Sequence, residues 1–487
     1  MRTQVSAGLV CLLLVCTSPV ALGVESRPSA QIGTSDSDRS IDVRYTIDRE
    51  PTRTGRVRVT ATIERPRHVT GLSVRTPAET TVLRADGLQS NGDRWRLSGD
   101  TGTAQLTYTV PVGLSTTFGQ RTADTGNWTL LARQEVSLRA RWRWRVGPRP
   151  TWNESLALAP GQNGVAGRTA AYIGPHETEP RTVDGDRITL VVPAAADLRP
   201  NRTAVLDSIS HAKRASTAGT DHDHIRVFVA PNELASGGYT PSNGESDVIV
   251  NGGEPVRSPV NVWVHEYRHT RQTFETAPGM DWLSEGSADY HTAALTYSAG
   301  GIRKDQFQDR ITTERHETVD LTQPDSWDRP GAQYHKGTRV IAAIDARVRQ
   351  ATGGSRTFEA VLDRLTRQDE RITLRLFAET VSAVAGDDLD AFVRQAVTGT
   401  APSVRADALT DRDLRRSGAA DTTDRRGNFA PSVDSNAATA TSADSEGKHG
   451  VGTARPVTDR HGEWTALGTL GILSVVLVGQ QRRRNRL

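Results

Sequence analysis

The chain is poor in cysteine: there are two in 487 residues, Cys11 and Cys16, both within or just after the first apolar run. Once that leader is removed, disulfides and thiolate-held metals are excluded, and any metal must be held by His, Asp or Glu. A sustained charge of one sign is also missing. The formal net charge of +3 comes from the ends: without Arg2, Arg482, Arg483, Arg484 and Arg486, 55 basic residues stand against 57 acidic ones. A near-neutral body offers no electrostatic basis for binding nucleic acid. Internal repeats are absent as well.

What is present begins with the two ends. Arg2, an apolar core at 8–15 and the small residues Ala21-Leu22-Gly23 read as a signal peptide, 1–23, cleaved after Gly23. The core is too short to span a bilayer. Cys16 lacks the small preceding residues expected of a lipidated cysteine. Residues 464–479 are apolar and are followed by Arg482-Arg483-Arg484 and Arg486. This reads as a transmembrane anchor, 464–487, with a cytoplasmic arginine tail and the rest of the chain extracellular at the cell membrane. A sorting signal that is cut off and replaced by a lipid would look the same. Three sequons, at Asn127, Asn153 and Asn201, suit an exported glycoprotein.

Between the ends the chain divides by pattern. In 24–180, "IDVRYTI", "GRVRVTATI", "AQLTYTV" and "VSLRARWRWR" alternate apolar and polar residues between Gly, Pro, Asn and Asp turns. They predict an N-terminal antiparallel β-sandwich, with the arginines of 141–145 on an exposed strand face. In 181–403, "ITLVVP", "HIRVFVAP" and "SDVIVNG" read as strands and 202–215 as a helix. Beyond Asp281 the apolar residues recur at helical spacing, as in Val340, Ile341, Ile344 and Val348. The fold class is thus α+β and multidomain, with an α-rich second half. Residues 404–463 are Asp-, Thr-, Ser- and Ala-rich with few large apolar side chains, the composition of a disordered stalk.

The chemistry concentrates in "VNVWVHEYRHTRQTF", which contains His265-Glu266-Tyr267-Arg268-His269, the H-E-x-x-H pattern. On a helix, His265 and His269 share one face and can hold one zinc ion. Glu266 beside them can take a proton from a zinc-bound water. Val262, Trp263 and Val264 would anchor the helix in a core. In "DWLSEGSADYH", Glu285 falls 16 residues after His269 and supplies the third ligand that a catalytic zinc needs. Asp289, four residues further on the same helical face, could accept the outer N–H of a zinc-bound imidazole. The run Asp221-His222-Asp223-His224 reads instead as a solvated turn.

H-E-x-x-H followed by W-L-x-E-G-x-A-x-Y resembles the gluzincin metallopeptidases, both the aminopeptidase N family and, more closely, the glycyl aminopeptidase family. The interval from His269 to Glu285 is shorter than aminopeptidase N members usually have. "QYHKGTRVIAAIDARVRQATGGSRTFEAVLDRL" also looks like the glycyl aminopeptidase Y-x-K-G helix. The similarity covers roughly 187–400. It implies a thermolysin-like zinc domain with His265, His269 and Glu285 as ligands and Glu266 as general base and acid. It also implies an oxyanion-stabilising tyrosine, for which Tyr334 is the candidate and Tyr290 and Tyr239 the rivals.

Two departures bear on specificity. The G-x-M-E-N strand that holds a substrate's free amine in aminopeptidase N is missing, and Glu245 is a poorly spaced substitute. The PDZ-like domain often found among glycyl aminopeptidases is missing too. The expectation is therefore a surface-anchored zinc metallopeptidase acting on peptide or protein substrates, with aminopeptidase and endopeptidase action both open. The rival is a non-catalytic surface module that keeps the fold, although a structural metal site has no use for a base such as Glu266.

Overall fold

A computed structural model describes residues 39–404, 409 and 450–454, apart from 51–52, 100–101, 117–118, 217 and 242–243. The alternating N-terminal segments form two five-stranded sheets. In the first, Thr151–Leu158, Ser40–Arg49, Arg56–Glu64, Thr103–Pro111 and Thr81–Asp86 lie side by side in that order. In the second the order is Gly450–Ala454, Arg139–Trp144, Val69–Arg75, Arg94–Leu97 and Leu88–Asn91. Period-two burial does what the alternation predicts: Ile41, Val43, Tyr45 and Ile47 point inward and share one core with Leu72, Val74 and Trp142. Along Arg139–Trp144 the arginines are exposed, while Trp142 is buried and stacks on Trp152 with 6.0 Å between ring centroids.

The sandwich is not wholly antiparallel, as the sequence reading had it. Ser40–Arg49 pairs in parallel with Thr151–Leu158. The two are about a hundred residues apart and no hairpin joins them, so nothing forces the antiparallel sense. The reading of 404–463 as a structureless stalk also needs one correction. Gly450–Ala454 pairs antiparallel with Arg139–Trp144. Edge pairing uses backbone groups, so the poor apolar content of the segment does not forbid it. The rest of the stalk beyond 409, the signal peptide and the anchor lie outside the described residues. Among the described residues, no helix is long and apolar enough to cross a membrane.

The second half is built on a mixed sheet in the order His176–Val183, Asp186–Pro193, His224–Ala230, Asp247–Asn251, Gly238–Tyr239. His176–Val183 already belongs to this sheet, so the boundary between the halves falls a few residues before 181. The central pairs are parallel, and both faces are covered, which explains the nearly continuous apolar strands. Ile188, Leu190 and Val192 pack under the helices, whereas Val191, Phe228 and Ile249 face a four-stranded sheet that contains Thr129–Ala132 and Ala170–Ile173.

The helices are α1 (Arg133–Val136), α2 (Arg202–Ala215), α3 (Val262–Thr270), α4 (Trp282–Ser298), α5 (Lys304–Thr312), α6 (Ala332–Ala351), α7 (Phe358–Thr366), α8 (Leu374–Ala385) and α9 (Asp390–Thr398). From α4 onward they enclose a core of their own around Leu283, Val340, Ile344, Phe358 and Phe377. α3 lies between that bundle and the sheet, with Val262, Trp263 and Val264 anchored in the sheet-side core.

Candidate metal centre and catalytic site

α3 starts where Asn261 caps it. The Asn261 Oδ1 accepts from the Val264 N–H, and its Nδ2 donates to Ser208 Oγ at 2.8 Å and to the Val256 carbonyl at 2.9 Å. The indole N–H of Trp263 donates to the Glu254 carbonyl at 2.9 Å. These ties fix the helix's rotation, and all nine of its residues are buried. Four residues apart on one face, His265 and His269 bring their Nε2 atoms to 3.1 Å. The first turn of α4 brings Glu285 Oε2 to 3.3 Å from His265 Nε2 and 3.4 Å from His269 Nε2.

Two imidazole nitrogens and one carboxylate oxygen thus converge in the protein interior. They form the one such cluster of three metal-ligating groups among the described residues. Burial opposes ionisation of Glu285, but His269 and His265 outweigh it and hold the carboxyl well below the usual carboxylate range. Burial likewise pulls His269 down, and Glu285 more than reverses this, lifting the imidazole to about 9. The donor set and its charge fit a divalent zinc ion, with His265, His269 and Glu285 to hold it.

Gln272 determines which imidazole nitrogen faces the cluster. His269 Nδ1 donates to Gln272 Oε1 at 2.8 Å, which leaves Nε2 as the atom that would give up its proton to a metal ion. The Gln272 amide N–H₂ in turn donates to the Ser284 carbonyl and to Ser287 Oγ, both at 3.0 Å. One amide therefore ties His269 of α3 to the helix that carries Glu285. Asp289, expected in this role, is elsewhere: it accepts from Thr338 Oγ1 at 2.6 Å and from Arg310. Its face of α4 turns toward α5 and α6.

Glu266 is fully buried beside the cluster. Thr240 Oγ1 donates to its Oε2 at 2.8 Å, while Oε1 has no hydrogen-bond partner among the described residues. Burial raises the Glu266 pKa, against the pull of His265, His269 and the Thr240 bond, and Glu285 adds to the rise. The edge strand Gly238–Tyr239 runs directly over it. A Cβ at Gly238 would lie 2.4 Å from Glu266 Cγ and 2.7 Å from its Oε1, so a side chain there would crush the glutamate.

Of the three tyrosines, Tyr334 at the start of α6 borders the cluster, its ring 6.2 Å from that of His265. Tyr290 donates to Asp345, and Tyr239 accepts from Gln134. Glu245 is not at the centre: it pairs with Arg168 at 2.9 Å and Arg133 at 4.0 Å. The 221–224 run lies at the surface, as the sequence reading had it, with Asp221 and Asp223 exposed, and three of its residues are also tied down. Asp221 accepts from Lys213 and Arg271, His222 bonds the Thr270 carbonyl, and His224 bonds Thr189. Gln272, Thr240 and Gly238 escaped the sequence reading. Only Gln272, one helical turn past His269, carried a signal that could have been used.

No protein-family model and no curated protein matches the chain. Solved structures do match. An aminopeptidase N family protein from Idiomarina loihiensis superposes with a TM-score of 0.53 at 13% identity, over 75% of this chain and 78% of that one. A variant M1 zinc metallopeptidase from Deinococcus radiodurans gives 0.51 at 12% identity, over 76% of this chain and 96% of that one. A two-domain M1 zinc metallopeptidase variant bound to L-tryptophan gives 0.50 at 13% identity, over 76% and 96%. The likeness is one of fold. It spans both halves of the chain, the β-rich N-terminal part included.

Proposed function

We propose that this protein is a zinc metallopeptidase that hydrolyses peptide bonds with Glu266 as general base and acid. The observation that carries the reading is the pairing of two features in one buried pocket. His265, His269 and Glu285 converge there, and next to them Glu266 offers a partnerless Oε1. A metal site serving structure alone has no use for the second feature. The shared fold with M1 zinc metallopeptidases, one of them solved with L-tryptophan bound, supports the same reading.

Bound zinc would supply Lewis acidity toward a peptide carbonyl and an attacking water. The chain's own groups then have distinct tasks. His265, His269 and Glu285 would hold the ion, and Gln272 would keep His269 in the required tautomer. Thr240 holds Glu266 Oε2, leaving Oε1 to take the proton from water and return it to the leaving amine. Burial of Glu266 raises its basicity toward neutral pH. Tyr334, whose ring lies beside that of His265, is the residue we assign to donate to the developing oxyanion. The edge strand Gly238–Tyr239 walls the pocket and excludes bulk water.

The finer resemblance to glycyl aminopeptidases rests on the Tyr334-His335-Lys336-Gly337 segment and the short interval between His269 and Glu285. The placement of the enzyme at the cell surface rests on the sequence of 1–23 and 464–487. The test of function is a mixed peptide library incubated with the zinc-loaded chain and read by mass spectrometry. Cleavage at defined bonds, abolished by a chelator and restored by zinc, is the expected result. A zinc-loaded protein that cleaves nothing would favour the binding module.

A further inference from the structure

The catalytic half does not wall the pocket alone. The N-terminal half sends in the loop that follows the short hairpin of Ser115–Thr116 and Gly119–Gln120. This loop is stitched to the approach to Gly238–Tyr239: the Ala235 N–H donates to the Gln120 carbonyl at 2.8 Å, and Arg121 Nη1 donates to the Ser236 carbonyl at 2.9 Å. Ser236 lies two residues before Gly238, which sits against Glu266. Arg121 is only 4% exposed. Its Nε and Nη2 have no hydrogen-bond partner among the described residues.

Those two atoms form one edge of the guanidinium, with parallel N–H bonds in the geometry that grips a carboxylate with two hydrogen bonds. Nη1, on the other side, is already used. A buried guanidinium edge without a partner is costly, and natural proteins rarely leave one unless something binds there. Burial lowers the Arg121 pKa, and the groups that oppose this are Glu266, Tyr334, Tyr239 and Glu254, so the cation faces the catalytic pocket. Among the described residues, no hydrogen bond joins it to Glu266, Tyr239 or Glu254. Glu254 uses Oε1 to accept from the Gly237 N–H at 2.7 Å, and its Oε2 has no hydrogen-bond partner among the described residues.

We propose that Arg121 binds a carboxylate of the substrate through its Nε–Nη2 edge, so that the pocket selects peptides carrying an anionic group close to the scissile bond. The inference rests on the peptidase reading for the word substrate, but the anion subsite itself needs only the geometry of Arg121. The carboxylate has two sources in a peptide, an Asp or Glu side chain and the free C-terminus. A free N-terminal amine, the group recognised through the missing G-x-M-E-N strand, is disfavoured beside a cation. Glu245 does not restore its recognition, since Arg168 and Arg133 occupy it.

The probes are pentaalanine peptides carrying Asp or Asn at each position in turn, each with a free or an amidated C-terminus. Calorimetry on the zinc-free full chain measures binding without cleavage and without any carboxylate–zinc contact. The wild type should prefer one carboxylate over its amide by about tenfold or more, the scale of a charge-assisted pair. An Asp-over-Asn preference identifies a side-chain subsite, and a free-over-amidated preference identifies the terminus. Arg121→Gln should abolish the preference and Arg121→Lys should keep part of it, with thermal unfolding as the check on folding. Equal binding of all peptides by the wild type overturns the proposal. So does an unchanged preference in folded Arg121→Gln. With zinc restored, cleavage of all peptides alike would leave the peptidase standing and remove the role of Arg121. A carboxylate preference in binding with no cleavage at all would do the reverse.

Discussion

Gly286 and Gly337 meet backbone to backbone where α4 crosses α6. A Cβ on Gly286 would fall 2.8 Å from the Gly337 carbonyl carbon and 2.9 Å from its Cα. The two glycines set the depth at which α4 docks, and Glu285 is the residue before Gly286. The close approach thus decides how far the third candidate ligand reaches toward His265 and His269.

Gly286→Ala should force the helices apart. We expect a loss of about 1–3 kcal/mol, typical of overpacking, together with weaker zinc binding because Glu285 moves with the backbone. Gly337→Ala should cost less, since its Cβ would meet Gly286 Cα at 3.2 Å and Trp282 no closer than 3.6 Å. Thermal unfolding and competition with a zinc chelator measure both effects, and equal effects from the two variants would contradict this packing.

Gln272→Ala should weaken zinc binding about 10- to 100-fold, the usual range when the partner of a metal-bound imidazole is lost. Asp289→Ala should act differently. It strips Arg310 and Thr338 of a buried acceptor, so stability should fall by about 3 kcal/mol, with the change in zinc affinity smaller than for Gln272→Ala. Chelator competition on both variants decides the order; a larger zinc defect in Asp289→Ala would restore that residue to the imidazole.

Lys336 illustrates the structural content of the Y-x-K-G segment. Its ammonium donates to the Val319, Val397 and Gly399 carbonyls and so closes the C-terminal end of α9. Lys336→Met should lower the unfolding temperature, because the half-buried Val319 and Gly399 carbonyls lose this donor, whereas the Val397 carbonyl keeps the Leu321 N–H. The refolded variant should still bind zinc. Loss of zinc from a protein of unchanged stability would assign Lys336 to the metal centre instead.

The convergence of His265, His269 and Glu285 was legible because its spacing is local. His265 and His269 are one turn apart on a helix, and Glu285 opens the next helix. Period-two alternation likewise exposed the strands and their buried faces. What stayed hidden depends on contacts distant in sequence. The strand alternation of Ser40–Arg49 carries no sign of its parallel partner at Thr151–Leu158. Asp289 shares a helical face with Glu285 at four-residue spacing, yet the rotation of α4 against α6 gives it to Thr338 and Arg310. Gln272 is the exception: it lies only three residues past His269, although it reaches it where α3 has ended at Thr270 and the chain turns back. Thr240, Gly238 and Arg121 come from a loop and an edge strand with no periodicity to mark them.

The central claim is that Glu266 is the base of a peptidase, and Glu266→Gln tests it most directly. The substitution keeps the size of the side chain and one oxygen for Thr240 but removes the basicity. It touches none of His265, His269 and Glu285. Zinc content, measured by atomic absorption, and cleavage of the best library peptide should be compared with wild type side by side. The account predicts near one zinc per chain in both proteins and a fall in turnover of at least about 10²-fold, as loss of general acid–base catalysis commonly causes. Equal turnover by Glu266→Gln and wild type would contradict it.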